Sequence, residues 1–194
     1  MSKRKERNTK GKIDSAAWKL FYDLGYEETT VEEIIEESGT SRGSFYHYFA
    51  GKDALLGTLS YLFDEKYEEL MENLPAEMGS FETLMYLNQE LFSMIESSIS
   101  IELLARMYST QLVTKGEKHL LDRSRTYFKL LGQIVARGQQ MGELKEEVTA
   151  NEIVKAYALC ERALIYDWCI CNGEYSLKRY AKDMMPRLLS SYKK

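Results

Sequence analysis

Apolar side chains recur along the chain with the period of an amphipathic helix, and nowhere alternate long enough to predict a strand. Two capping boxes, Thr30–Glu33 and Thr149–Glu152, mark helix starts, and Gly25 and Gly39 follow the ends of two helices. At 44% hydrophobic residues the chain can bury a core. The pattern predicts an all-α protein of about nine helices, over residues 9–24, 30–39, 41–48, 52–73, 80–97, 101–113, 115–141, 149–171 and from 176 onward.

The stretch from Thr29 to Leu55 has the arrangement of a helix-turn-helix, a unit that lays its second helix in the major groove of DNA. Its first short helix ends at Gly39, and Ser41 supplies the N-cap of the second. The second helix has an apolar face of Phe45, Tyr48 and Phe49. Its opposite, polar face presents Ser41, Arg42, Gly43, Ser44, Tyr46 and His47.

The residue types on this polar face suit contacts with DNA. Arg42 can donate two hydrogen bonds to O6 and N7 of guanine. Hydroxyl and imidazole groups can donate to phosphates, and a helix N-terminus favours anions. Gly43 lets the helix approach the groove closely, and Lys52 can hold a further phosphate. A solvated polar face on a short helix is the alternative.

The string TTVEEIIEESGTSRGSFYHYFAGKDAL resembles the DNA-binding region of TetR-family transcriptional regulators, and the resemblance covers about residues 12–56. It implies that one group of side chains contacts backbone phosphates, namely Thr30, Tyr46, His47 and Lys52. It implies that a second group lies at base edges or their sugars, namely Ser41, Arg42, Gly43 and Ser44. It further implies a helical C-terminal domain that binds a small molecule and dimerises through its last two helices.

The resemblance leads to a specific expectation for function. Residues 1–52 form a DNA-binding domain, and residues 53–194 form an effector-binding and dimerisation domain. We expect a cytoplasmic, ligand-responsive repressor that binds a palindromic double-stranded operator as a homodimer and is released by an apolar or amphipathic effector. The alternative is a helical ligand- or partner-binding protein whose helix-turn-helix is not used on DNA.

The net charge of −4 does not exclude DNA binding, because the charges are unevenly distributed. Residues 1–12 carry six lysines and arginines against one glutamate. This basic segment can steer toward phosphates or be a solvated tail, and both interpretations stay open. The chain has no apolar run near the ~18 residues of a membrane span, and its three cysteines fit a reducing cytosol.

The helix at 149–171 is apolar nearly all round, which predicts burial on more than one side. The last helix carries an apolar stripe longer than a terminal helix needs. Together they predict an isologous dimer contact, and the alternative is that both helices pack within one protomer. The candidate interface residues of the last helix are Tyr180, Met184, Leu188 and Leu189.

Large and adaptable side chains of the C-terminal helices are candidates for a ligand pocket. They are Phe92, Met107, Tyr108, Tyr127, Phe128, Tyr157, Glu161, Tyr166 and Trp168. Plain core packing is the alternative for each of them. Glu161 stands out as a charge within an apolar helix, and can meet a cationic or hydroxyl-bearing ligand or pair with Arg106 or a partner's Arg162.

We expect no metal, no cofactor and no catalysis. Cys160, Cys169 and Cys171 with His119 make a zinc site arithmetically possible, but zinc usually needs four ligands, and the only other histidine, His47, is assigned to DNA contacts. The sequence lacks a glycine-rich phosphate loop and a nucleophile elbow, and places no histidine with a serine or cysteine as a catalytic pair.

Overall fold

The computed structural model describes residues 2–75, 77–115 and 118–194, with side chains from residue 9 onward. Over these ranges the chain is all-α, as predicted, and its one strand-like feature is an isolated bridge between Leu144 and Lys193. Short 3₁₀ turns lie at His119–Leu121 and Ser190–Tyr192. The ten α-helices are α1 (Ser2–Asp23), α2 (Val31–Ser38), α3 (Arg42–Tyr48), α4 (Lys52–Leu56), α5 (Leu59–Glu72), α6 (Ser80–Ser98), α7 (Ile101–Val113), α8 (Thr126–Gln140), α9 (Ala150–Ile170) and α10 (Leu177–Leu189).

The chain divides into two compact units, residues 1–59 with 109–120 and residues 60–108 with 121–194. The predicted domain boundary after residue 52 stays a prediction. The backbone of α1 begins earlier than predicted, at Ser2. The side chains of the basic segment at residues 3–7 lie outside the described part, so its role on DNA also stays a prediction.

The first unit is built on the packing of α1, α2 and α3. Both predicted caps of α2 are present: Thr30 and Glu33 form the capping box, and Gly39 adopts a left-handed conformation with φ of 61°. The apolar stripes of the three helices close a small core, in which the fully buried side chains include Ile13, Ala17, Ile34 and Phe45.

The predicted helix at 52–73 is two helices, α4 and α5, and this part of the prediction was wrong. The backbone amide of Thr58 donates to the carbonyl of Leu55, a tight turn, and the Thr58 hydroxyl donates to the same oxygen at 2.7 Å. The indole of Trp18 donates to that hydroxyl at 2.8 Å. A Cβ on Gly57 would lie 2.3 Å from the His119 ring, so the break is fixed by close tertiary contacts.

In the second unit, α10 packs against α6 and α9, and α8 packs against α6 and α9. The predicted capping box at Thr149–Glu152 opens α9. Most of the core lies on the facing sides of these helices, where Leu87, Leu91 and Leu131 are buried. No helix in the described ranges is both long and apolar enough to span a membrane.

The predicted helix at 115–141 begins only at Thr126, because Arg125 is drawn into the core of the second unit. The Arg125 guanidinium donates to both oxygens of Asp64, at 2.7 and 3.0 Å, and to the Ser60 carbonyl at 2.6 Å. Both charged side chains are buried, and a buried pair is tolerated only with such extra hydrogen bonds. The chain therefore turns before Arg125 instead of continuing as a helix.

Candidate DNA-binding surface and buried ligand site

Helix α3 presents its polar residues to solvent because Phe45 anchors its other side in the core. The backbone amide of Ser44 donates to the Ser41 side chain at 3.1 Å, so Ser41 is the N-cap, as predicted. On α3 and its N-cap, five of the six predicted DNA contacts are exposed, and the Ser44 side chain is half-buried. The exposed ones are Ser41, Arg42, Gly43, Tyr46 and His47.

The Arg42 side chain is held in place by two neighbours. Its Nη1 donates to Oε1 of Glu32 on α2 at 2.7 Å. Its guanidinium carbon lies 5.6 Å from the centre of the Tyr46 ring, a cation–π distance. The arginine that is predicted to contact bases is therefore pre-positioned on α3 by a carboxylate and an aromatic face.

Gly43 is open on its outer side, where an added Cβ would meet nothing closer than the Ser41 hydroxyl at 3.9 Å. The fold of the free protein therefore does not require glycine at this position, whereas a close approach of α3 to DNA would require it.

Thr30 is engaged in its cap, since its hydroxyl donates to Glu33 at 2.8 Å and accepts from the Glu33 amide.

The Lys52 ammonium is directed inward, toward the loop between α1 and α2. It donates to the carbonyls of Tyr26 at 2.6 Å, Thr29 at 2.8 Å and Glu27 at 3.2 Å, and it lies 4.3 Å from the centre of the Tyr26 ring. These bonds use all three of its protons. Lys52 thus orders the loop before α2, and its contact with a phosphate stays a prediction.

A second candidate site lies in the core of the second unit, around the carboxylate of Glu161 on α9. This side chain is 3% exposed. It accepts hydrogen bonds from the hydroxyls of Tyr127 at 2.7 Å and Tyr67 at 2.9 Å, and from the Asn88 amide at 2.9 Å. Burial raises the pKa of Glu161, and the bonds from Asn88, Tyr127 and Tyr67 oppose that rise.

Comparison with known proteins places the first unit in a family. The sequence model described as "Bacterial regulatory proteins, tetR family" matches residues 13–59, the span that contains α2 and α3. The chain belongs to the TetR family. It is thus a transcriptional regulator with an N-terminal helix-turn-helix, as the sequence predicted.

This TetR-family chain also resembles regulators of fatty acid metabolism along most of its length. It is 21% identical to the fatty acid metabolism regulator protein of Bacillus subtilis over 92% of both chains. The structure of FadR from Bacillus subtilis with stearoyl-CoA has a TM-score of 0.65 at 22% identity and covers 92% of this chain and 97% of that one. FadR of Thermus thermophilus with lauroyl-CoA has a TM-score of 0.72 at 21% identity, over 92% of each chain. At these identities the structures establish a shared fold.

The structure brings only some of the predicted pocket residues of this TetR-family chain together. Glu161, Tyr127 and Tyr157 share one hydrogen-bond network. Trp168 lies two turns further along α9, where its indole donates to the Tyr175 carbonyl at 2.7 Å. Phe92, Met107 and Phe128 are buried. Tyr108 is half-buried, and Tyr166 is 47% exposed and points away from the core.

Two members of the network around Glu161, Tyr67 and Asn88, were missed by the sequence analysis. Asn88 interrupts the apolar stripe of α6, and that interruption was the available signal. Tyr67 gave no such signal, because a tyrosine at a helical core position is ordinary.

The predicted dimer residues differ in their exposure. Tyr180 and Leu188 are each 45% exposed, and Met184 is half-buried. Leu189 is 2% exposed and packs inside its own protomer. Helix α9 carries an exposed apolar stripe of its own, made of Leu159, Tyr166 and Ile170.

The three cysteines are free thiols, and within the described ranges no three metal-ligating side chains converge.

Proposed function

We propose that this chain binds a palindromic operator as a homodimer, represses transcription there, and is released by a small-molecule effector. The observation that carries the proposal is the exposed face of α3, which presents Arg42 in the first turn of the helix and Tyr46 and His47 in its last turn. This face combines a base-reading guanidinium with phosphate donors and an anion-favouring helix end. The proposal locates the protein in the cytoplasm, where operator DNA is accessible.

Dimerisation is proposed through α9 and α10, which pack against each other and both carry exposed apolar side chains. A soluble monomer rarely leaves contiguous apolar surface open. Self-association of these helices would be isologous, so each α3 would meet one half of a palindrome. Half-sites would then lie about 34–36 Å apart, or a multiple of that distance.

Release follows from linkage, because an effector lowers operator affinity when it prefers a conformation that fits DNA less well. The second unit offers the buried site around Glu161 for this effector. The FadR proteins were solved with acyl-CoA thioesters. An amphipathic ligand is therefore the starting class for this chain.

The proposal is tested by measuring binding of the purified chain to labelled fragments of its own upstream region across a range of salt concentrations. Specific binding with a steep negative salt slope is expected, because phosphate contacts release counterions. A scrambled fragment of equal length serves as the control. Equal affinity for both fragments would contradict operator recognition.

A further inference from the structure

The carboxylate of Glu161 is an acid in the protein core, and no lysine or arginine of the described residues forms an ion pair with it. Its hydrogen-bonding neighbours are the hydroxyls of Tyr67, Tyr127 and Tyr157 and the amide of Asn88. An unpaired buried carboxylate is costly, and proteins normally neutralise it or pair it. Here burial raises the pKa of Glu161, because the charged form of the carboxyl group loses its hydration and gains no counter-charge.

The hydrogen bonds around Glu161 leave acceptors in excess. The Tyr67 and Tyr127 hydroxyls donate their hydrogen bonds to the carboxylate, and the Tyr157 hydroxyl donates to the Leu84 carbonyl at 2.9 Å. Asn88 is fully buried, and its Oδ1 has no hydrogen-bond partner among the residues that the structure describes. The cluster therefore lacks a hydrogen-bond donor for Oδ1 of Asn88, whereas each tyrosine hydroxyl already has an acceptor.

Aromatic side chains line the same buried place. The rings of Tyr67 and Tyr127 meet edge to face with centres 5.1 Å apart, and Phe128 meets Tyr127 at 4.8 Å. Tyr67 and Tyr127 direct their hydroxyls at the carboxyl group, so their rings offer apolar surface to the body of a ligand. The cluster thus combines a buried carboxyl group, an amide oxygen without a partner among the described residues, and an aromatic lining.

We propose that Glu161, Asn88, Tyr67 and Tyr127 form the polar end of a recognition site for an organic cation that carries at least one N–H donor and an apolar body. This inference rests on the proposed function, since it names the chemistry of the effector. The ammonium of the ligand pairs with Glu161 and donates to Oδ1 of Asn88, and the apolar body packs against the aromatic rings. A ligand whose charge is negative would place like charge on a buried carboxylate, so the site disfavours the anionic end of an acyl-CoA.

The site also offers a source of coupling to DNA. Because the cluster is closely packed, a ligand enters it only in a conformation in which the surrounding helices have moved apart. The free energy gained by neutralising the buried carboxylate is available only in that conformation. A cation therefore favours it over the packed one, which is the differential affinity that release requires.

The test compares three probes that share one body and differ in charge: 4-phenylbutylamine, 4-phenylbutanol and 4-phenylbutyrate. Binding to the full chain is measured by calorimetry at neutral pH. Glu161→Gln removes the charge with little change in size. Glu69→Gln removes an exposed charge from α5 as a control. Circular dichroism and thermal unfolding establish that each variant is folded.

We expect the amine to bind at least about tenfold more tightly than the alcohol or the carboxylate, since one charge-assisted contact is worth roughly that factor. Glu161→Gln abolishes this preference, whereas Glu69→Gln retains it. Binding of all three probes with equal affinity, stronger binding of 4-phenylbutyrate, or no binding of the amine would each overturn the proposal. If Glu161→Gln does not fold, the three probes on the wild-type chain decide: a preference for the amine over the alcohol and the carboxylate supports the proposal, and its absence overturns it.

Operator binding in the absence of probes separates this inference from the proposed function. Specific DNA binding without any preference for the amine would overturn the cation site and leave the regulator intact. Absence of specific DNA binding would overturn the proposed function whichever probe binds.

Discussion

The Arg42 guanidinium and the Glu32 carboxylate lie 2.7 Å apart, and the two side chains are 68% and 62% exposed. A pair this exposed is worth at most about 1 kcal/mol, so DNA can displace it at little cost. Glu32 also places a negative charge beside the face that approaches phosphates. The pair therefore holds Arg42 in position. It also makes binding to DNA less favourable wherever Arg42 leaves Glu32 without gaining an equivalent hydrogen bond from a base.

Substituting Glu32 should weaken discrimination between DNA sequences. In Glu32→Gln the charge near the phosphates is lost and Arg42 is released, so binding to scrambled DNA should tighten several-fold. Operator binding should tighten less, because there the base contact already replaces the ion pair. Fluorescence anisotropy on both fragments gives the ratio. Glu36→Gln, an exposed substitution on the same helix, is the control, and an equal change in both variants would remove the special role of Glu32.

Adding a methyl group at Gly43 should separate folding from DNA binding. Because the site is open, Gly43→Ala should leave stability unchanged or raise it by up to about 1 kcal/mol through helix propensity. The same methyl group should lower operator affinity by obstructing close approach to the groove. Gly132→Ala, at an equally open position on α8, should give a similar stability change with no effect on DNA. Unaltered operator binding in Gly43→Ala would show that α3 does not approach DNA at this residue.

Asp14 should make the stability of the first unit depend on pH. Burial raises the pKa of this carboxyl from 3.8 to about 6, against the lowering effects of Lys10 and of a hydrogen bond with Thr58. The folded state holds the proton more tightly than the unfolded chain. The stability that Asp14 contributes is thus fully present below about pH 4 and is lost as the pH rises through about 6.

Urea unfolding of wild type and Asp14→Asn between about pH 4 and pH 7 checks this sign. Relative to the variant, wild type should lose about 1–2 kcal/mol across the window, after allowance for partial exposure. Asp23→Asn, at an exposed position on the same helix, should follow wild type. A difference between wild type and Asp14→Asn that does not vary with pH would refute the titration.

The dimer surface can be tested at Leu188, which is exposed, while Leu189 is buried and would report on folding instead. Leu188→Glu should yield monomers with unchanged helicity, because a charge at the centre of an apolar contact costs several kcal/mol. Sedimentation velocity measures the mass. Leu112→Glu, a substitution at a 72% exposed position on α7, should leave the dimer intact. Dimers of Leu188→Glu at micromolar concentration would locate the interface elsewhere.

Features encoded in neighbouring residues were predictable from the sequence. The Thr30 and Thr149 capping boxes and the left-handed Gly39 each depend on contacts within a few positions. The break at Thr58 and the late start of α8 depend on partners far along the chain, namely Trp18 and Asp64. The local period of apolar residues contains no information on such distant contacts, so both helices were predicted to be longer than they are.

The two candidate sites also differ in how far apart along the chain their residues lie. The residues of α3 lie within one short string, and their exposure follows from helix period alone. The network around Glu161 is assembled from α5, α6, α8 and α9, with up to 94 positions between partners. The sequence indicated the unusual charge at Glu161, but only the fold identifies Tyr67 and Asn88 as its partners.

The most direct test of the central claim is the affinity of wild type and Arg42→Ala for operator and for scrambled DNA at one salt concentration. If Arg42 reads a base, the substitution should cost about 1–3 kcal/mol on the operator and much less on scrambled DNA, so that the specificity ratio falls. Equal losses on both fragments would reduce Arg42 to a phosphate contact. An unchanged operator affinity would contradict the assignment of α3 as the recognition helix.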